Sequence, residues 1–396
     1  MVSLATTFER IPAYPCIMSS NSSDRILLSP PRATESDIAS VAAAMRSDWL
    51  APAGPDLTAF ESEVAEYLGT RFAVGLSSGT AALHLGLKYL GVKAGDYVIV
   101  PTATFGATSF AVTYLGATPV FVDIDGSHNL DPAMLELALV TLKKQGRPCG
   151  AVVPVDLYGT AADYSRIQPI AEEFETPMLV DAAEALGAWH GEKRAGVFGN
   201  AGVLSFNGNK IITTSGGGML VTDDERAAVR IRKWASQSRE NVPWYEHEEV
   251  GFNYRLSNIL AALGRSQLAR IDDEVAKRRQ IREWYRERLE RIARVSVQSD
   301  PPWGRSNAWL TIVQFDREAL PNAAERVRLA LADDQIESRP TWKPMHQQPV
   351  FKECPSFLSG SADALFEEGL CLPSGTALEA SDIDRICSII ESTLSQ

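Results

Sequence analysis

Between Arg71 and Thr222 short apolar runs alternate with amphipathic stretches. The runs fall at 72–76, 97–100, 119–122, 151–155, 178–180 and 202–206, and 219–221 closes the series. Runs without alternating polar positions are the mark of strands covered on both faces. Between them apolar residues return at helical spacing: Ala81, Leu85, Leu87 and Leu90, then 135–142, then 167–174. Strand–helix alternation predicts an α/β fold, a mostly parallel central sheet flanked by helices. Ligands in such sheets collect at the carboxyl ends of the strands. Ser78, Phe105, Asp156, Asp181 and Ser205 lie just beyond those ends.

Past this region a charged stretch with a periodic apolar stripe predicts one long helix over 257–291. It leads to a smaller C-terminal α+β domain containing 309–315, 323–332 and a last helix at 383–394. The expected organisation is a flexible extension over 1–24, a large domain over 25–270 and a small one over 271–396. A chain of 396 residues is long enough for two cores.

Bulk properties narrow the function classes. A net charge of −12 argues against nonspecific nucleic-acid or acidic-membrane binding. The five cysteines, Cys16, Cys149, Cys354, Cys371 and Cys387, are scattered and lack C-x-x-C spacing, which fits a reducing compartment and excludes a cysteine-based zinc site. No apolar run approaches the ~20 residues that span a bilayer. The start of the chain lacks a basic segment followed by an apolar one, so a cytoplasmic protein without a signal peptide is expected.

The chemistry concentrates in Ser205-Phe-Asn-Gly-Asn-Lys210-Ile-Ile-Thr-Thr-Ser-Gly-Gly-Gly218. Lys210 follows an apolar run and precedes three glycines, so it is expected on a turn between strands. No acid lies within eleven residues of it on either side. Desolvation there would favour the neutral, nucleophilic amine; a solvated surface lysine is the competing reading. Asp181 ends the run at 178–180, either as a helix N-cap after a strand or as the carboxylate that keeps a pyridine nitrogen protonated. A lysine able to form a Schiff base and such a carboxylate are what a pyridoxal 5′-phosphate enzyme needs. Ser77-Ser78-Gly79-Thr80 opens a helix after a strand, where backbone N–H groups can approach a phosphate; a tight structural turn explains it equally well. Ser205 adds a hydroxyl. Phe105 reads either as core packing or as a ring stacked on the cofactor. No Walker lysine and no G-x-G-x-x-G fingerprint is present, which disfavours a nucleotide-triphosphate loop and a nicotinamide oxidoreductase.

Five segments carry a resemblance: Ser-Gly-Thr-Ala-Ala-Leu-His, Gly-Ala-Thr-Pro-Val-Phe-Val-Asp, Asp-x-Ala-x-x-x-Gly, Ser-Phe-x-x-x-Lys and Gly-Phe-Asn253-Tyr254-Arg255-Leu-Ser-Asn. In order, over roughly residues 26 to 392, the chain resembles the DegT family of sugar aminotransferases, pyridoxal-phosphate enzymes of fold type I. The resemblance implies that Lys210 bonds the cofactor, Asp181 holds the ring nitrogen, Gly79, Thr80 and Ser205 hold the phosphate, and Phe105 stacks on the ring. It implies that Asn253 reaches the phosphate of a second subunit in a homodimer, and that Arg255 grips the carboxylate of the amino donor. Glu184 stands where the wider family has glutamine, beside the ring's phenolate.

The finer resemblance is to the branch acting on UDP-4-keto-6-deoxy-N-acetylglucosamine, the bacillosamine type. It rests on Leu27-Leu-Ser-Pro-Pro31, Asp48-Trp49-Leu-Ala-Pro-x-Gly-Pro55, the 205–218 segment and Trp342-Lys-Pro-Met-His346-Gln-Gln-Pro-Val-Phe351. It implies a UDP-linked keto sugar, L-glutamate as donor and 2-oxoglutarate as product. Trp49, Lys343 and His346 are left between contacts to the nucleotide and packing between domains. Other keto sugars, aminated at C3 or C4 and carried on dTDP or GDP, stay open, as does a cofactor-binding regulator without turnover. A sugar dehydratase of the family would carry histidine in place of Lys210.

Overall fold

In the computed structural model, residues 25–395 are described; the extension expected over 1–24 lies outside them. Seven strands carry the central sheet: β1 (Phe72–Leu76), β2 (Tyr97–Pro101), β3 (Thr118–Val122), β4 (Cys149–Val152), β5 (Leu179–Asp181), β6 (Ala201–Ser205) and β7 (Gly218–Thr222). β3, β2 and β4 pair in parallel, and a short edge strand, Ser356–Phe357, extends them beside β3. Parallel bridges Val152–Met178 and Val155–Asp181 join β4 to β5, which pairs in parallel with β6. β7 lies antiparallel between β6 and β1. The sheet is therefore mostly parallel, as predicted, with β7 alone running the other way.

Alternation along each strand divides the interior into two cores. Ile99, Val120, Val122, Val180, Leu204 and Val221 face one way with helices Pro132–Lys144 and Tyr164–Glu173. Val98, Val100, Phe121, Leu179, Val203 and Leu220 face the other way with helices Gly79–Tyr89, Gly106–Tyr114 and Glu225–Ala235. Both faces are dry, which is why the strands read as continuous apolar runs. A third core lies between an antiparallel sheet ordered Val295–Val297, Thr311–Phe315, Gly369–Leu372, Arg339–Pro340 and helices Ile271–Leu289, Ala323–Asp333 and Ala380–Leu394.

The single helix predicted over 257–291 is two helices, Asn258–Leu268 and Ile271–Leu289. Arg270 leaves helical geometry at the junction, and its guanidinium bonds both carboxylate oxygens of Asp37 at 2.9 Å and the Arg32 carbonyl. That tertiary pairing bends the chain where the apolar stripe alone runs on. Ile271 belongs to the first core, while Ile281, Tyr285 and Leu289 belong to the third, so a division near residue 270 remains our proposal. Ile26 also packs in the third core, so the start of the described chain crosses to the smaller sheet. No helix among the described residues is long and apolar enough to cross a membrane, and none of their His, Cys, Asp and Glu form a group of three that could hold a metal.

Candidate active site

The carboxyl ends of β1, β5 and β6 surround a cavity of about 310 Å³. Gly79, Thr80, Phe105, Asp181, Glu184, Ser205 and Lys210 all line it, together with Ser78, Trp309 and Trp342. Helix Gly79–Tyr89 begins at its edge, with Ser78 as N-cap accepting the Ala81 N–H at 3.0 Å. The first amides of a helix have no carbonyl a turn behind them, so those of Gly79 and Thr80 are available to an anion, aided by the dipole. Glycine is required nearby for close approach. A Cβ on Gly218 would come within 2.4 Å of the Gly79 nitrogen, and one on Gly79 within 3.2 Å of Ser205 Cβ.

Lys210 lies on the connection between β6 and β7, its backbone N–H donated to Asn207 O at 3.0 Å. Its sequence surroundings are free of acid, but the fold supplies one: Nζ lies 3.4 Å from Glu184 Oε1, both side chains being almost wholly covered. The ammonium also sits 4.1 Å from the centre of the Trp309 ring. Glu184 Oε2 accepts the Tyr158 N–H at 2.7 Å. Burial pushes the Glu184 carboxyl above its ordinary range, and the Lys210 charge only partly offsets this.

Asp181 ends β5, opposite Val203 of β6. Its Oδ2 accepts the Thr108 hydroxyl at 2.7 Å and its Oδ1 the Ala183 N–H at 3.1 Å. Burial raises its pKa, so a cation at this carboxylate is needed to hold the ionised form. Behind it stands Asp156, fully buried, with Oδ1 accepting from the Tyr164 hydroxyl and the Ala162 N–H. Burial pushes Asp156 up to about 7, and the nearby Asp181 charge adds to the shift.

Five other residues singled out in the sequence lie away from the cavity. Arg255 is committed within the chain: Nη1 donates to Glu61 Oε1 at 2.6 Å and to the Gly75 carbonyl at 2.9 Å. His346 is held from both sides, Nδ1 at 2.7 Å from Thr102 Oγ1 and Nε2 at 3.2 Å from Asp363 Oδ1. Trp49 and Asn253 are exposed. Lys343 borders a neighbouring cavity that shares Phe105 and Trp342 with the first. Sequence reasoning missed Thr108, Tyr158 and Trp309. Thr108 and Tyr158 reach the site through a hydroxyl and a main-chain amide, and Trp309 comes from the smaller sheet; no local pattern marks any of them.

The donor set fits pyridoxal phosphate. The helix amides, Ser205 and the buried Asp181 carboxylate all border the cavity, and Asp181 makes no ion pair among the described residues. Lys210 is the one lysine of the lining, and its charge acts on that carboxylate. A site of this kind at the carboxyl edge of a mostly parallel sheet defines a pyridoxal-phosphate enzyme of fold type I. Comparison carries the identification further. Residues 31–391 match the model of the DegT/DnrJ/EryC1/StrS aminotransferase family. EpsN of Bacillus subtilis (strain 168), provisionally named a pyridoxal phosphate-dependent aminotransferase, is 41% identical over 374 residues, 92% of this chain and 95% of its own. GDP-perosamine synthase of Caulobacter vibrioides is 37% identical, over 93% of this chain and 98% of its own. The crystal structure of a DegT DnrJ EryC1 StrS aminotransferase from Brucella abortus superposes with a TM-score of 0.85 at 30% identity, over 91% of this chain and 95% of that one. The chain belongs to the DegT/DnrJ/EryC1/StrS family and is a pyridoxal-phosphate-dependent aminotransferase.

Proposed function

We propose that the chain moves an amino group from L-glutamate to C4 of a UDP-linked 4-keto-6-deoxy-N-acetylhexosamine, leaving 2-oxoglutarate, in the cytoplasm and as a homodimer. The observation that carries the reading is Lys210 and the buried Asp181 lining one cavity beside a helix N-terminus. Gly79, Thr80 and Ser205 would hold the phosphate, Asp181 the ring nitrogen and Phe105 a ring face, while Glu184 stands beside Lys210. When bound, the cofactor supplies an electron sink for the carbon that loses its proton. Lys210 would hold the cofactor, and its Nζ amine, once freed by the donor, would serve as the base that takes the proton from the donor Cα and as the acid that gives it back. Asp181, ionised beside a cationic ring, would stabilise that sink. The exposed position of Asn253 suits a residue that acts on a second subunit. Arg255 would meet the donor carboxylate only by loosening its bond to Glu61.

The UDP-linked N-acetyl sugar rests on the motifs around Trp49, Lys210 and His346. The 37% identity to a GDP-perosamine synthase favours a second reading, a GDP-linked keto sugar. One experiment addresses both questions. Borohydride treatment of the purified protein should fix cofactor mass on the peptide containing residue 210, and Lys210→Ala should abolish both the fixation and turnover. Glutamate turnover should then be measured against UDP-, GDP- and dTDP-linked 3- and 4-keto sugars. An unmodified peptide would end the reading of Lys210, and a preference for the GDP sugar would replace the UDP assignment.

A further inference from the structure

We infer that Trp309, presented by the hook Asn307–Trp309 at the edge of the smaller sheet, is a positioning residue for Lys210; the inference rests on Lys210 being the reacting lysine. The indole N–H donates to the carbonyl of Asn209, the residue before Lys210, at 2.8 Å. The same ring presents its face to the Lys210 Nζ at 4.1 Å, so one side chain grips both the backbone and the tip of the lysine. Trp309 is itself held. Its N–H donates to Asn307 Oδ1 at 2.8 Å, and its carbonyl accepts from the fully buried guanidinium of Arg278 at 2.7 Å. Arg278 also donates to Ser29 Oγ, and that hydroxyl donates in turn to the Asn209 carbonyl at 3.1 Å. A buried cation is therefore used on carbonyls and a hydroxyl, and both chains of contacts end on the lysine turn.

The hook grips the opposite partner as well. Asn307 Nδ2 donates to the Glu184 and Leu186 carbonyls, each at 2.9 Å, fixing the turn from which Glu184 meets Lys210. Ala308, between the two anchors, has φ +51°, a left-handed conformation that non-glycine residues adopt rarely and only when their surroundings hold them there. The smaller sheet thus sets the separation of the Lys210–Glu184 pair, and a lysine that transfers protons is sensitive to its placement.

The test compares Trp309→Phe, which keeps a ring face and loses the N–H, with Trp309→Leu, which loses both. In the holoenzyme, visible circular dichroism of bound cofactor and single-turnover rates of the glutamate and keto-sugar half-reactions are measured. In the apoprotein, the acylation rate of Lys210 is followed by peptide mass spectrometry. Trp309→Leu should slow both half-reactions by about tenfold or more, weaken the visible dichroism and speed Lys210 acylation. The KM for glutamate should stay within about twofold, since the polar and ring-face contacts of the indole go to Asn209 and Lys210. Trp309→Phe should recover part of each loss. Rates, dichroism and acylation equal to wild type in both variants, or a change confined to the melting midpoint, would overturn the inference. Wild-type protein whose residue-210 peptide escapes borohydride labelling would instead overturn the parent reading.

Discussion

Asp156→Asn should stabilise the apoprotein at neutral and alkaline pH and do so in a pH-dependent way. Asp156 is fully buried behind Asp181; its Oδ2 has no hydrogen-bond partner among the described residues, and burial raises its pKa from 3.8 to about 7. Between pH 4 and 7 the folded chain keeps a proton that the unfolded chain has released. Stability therefore falls as pH rises through that window and is level above it, with a total cost of about 4 kcal/mol at 1.36 kcal/mol per unit. Asparagine can accept from Tyr164 and the Ala162 N–H as the neutral acid does, but it carries no proton to lose. The gain of variant over wild type should then grow from pH 4 to 7 by about 4 kcal/mol, roughly 5 °C in melting midpoint for a chain of this length. Thermal unfolding of both apoproteins at pH 4.5, 6 and 8 measures it. A difference that is the same at all three would refute the argument, because it would mean that Asp156 ionises alike in the folded and unfolded chains.

The same geometry sets two further expectations. Glu184→Gln removes a carboxyl held above its ordinary range beside Lys210, so the absorbance of bound cofactor should lose an inflection as pH is varied; an unchanged titration would show that Glu184 does not ionise there. Arg255→Ala leaves Glu61 with Arg232 as its remaining cation at 3.0 Å, so the apoprotein should lose about 2 kcal/mol, less than for a buried acid left alone, read as a fall of about 2 °C in melting midpoint. An unchanged midpoint would show that the Arg255–Glu61 pair contributes nothing to the fold.

The sequence by itself determined the layer architecture, because a strand buried on both faces must be apolar along its whole length and so announces itself. It also marked the edge at which a ligand would collect: Ser78, Asp181 and Ser205 each sit at or just past the end of an apolar run. Lys210 stood out by its neighbours, a turn of small and hydroxylated residues with no acid near in the chain. What the tertiary structure decided is what the lysine faces. Glu184, Tyr158 and Trp309 reach the site from separate segments, and pairings between residues distant in the chain leave no periodic trace. The same holds for the break at Arg270, imposed by Asp37 from the far end of the chain, and for Arg255, whose bond to Glu61 no motif could reveal. Burial turns such contacts into chemistry, since a charge taken out of water answers to whichever partner the fold brings within a few ångströms.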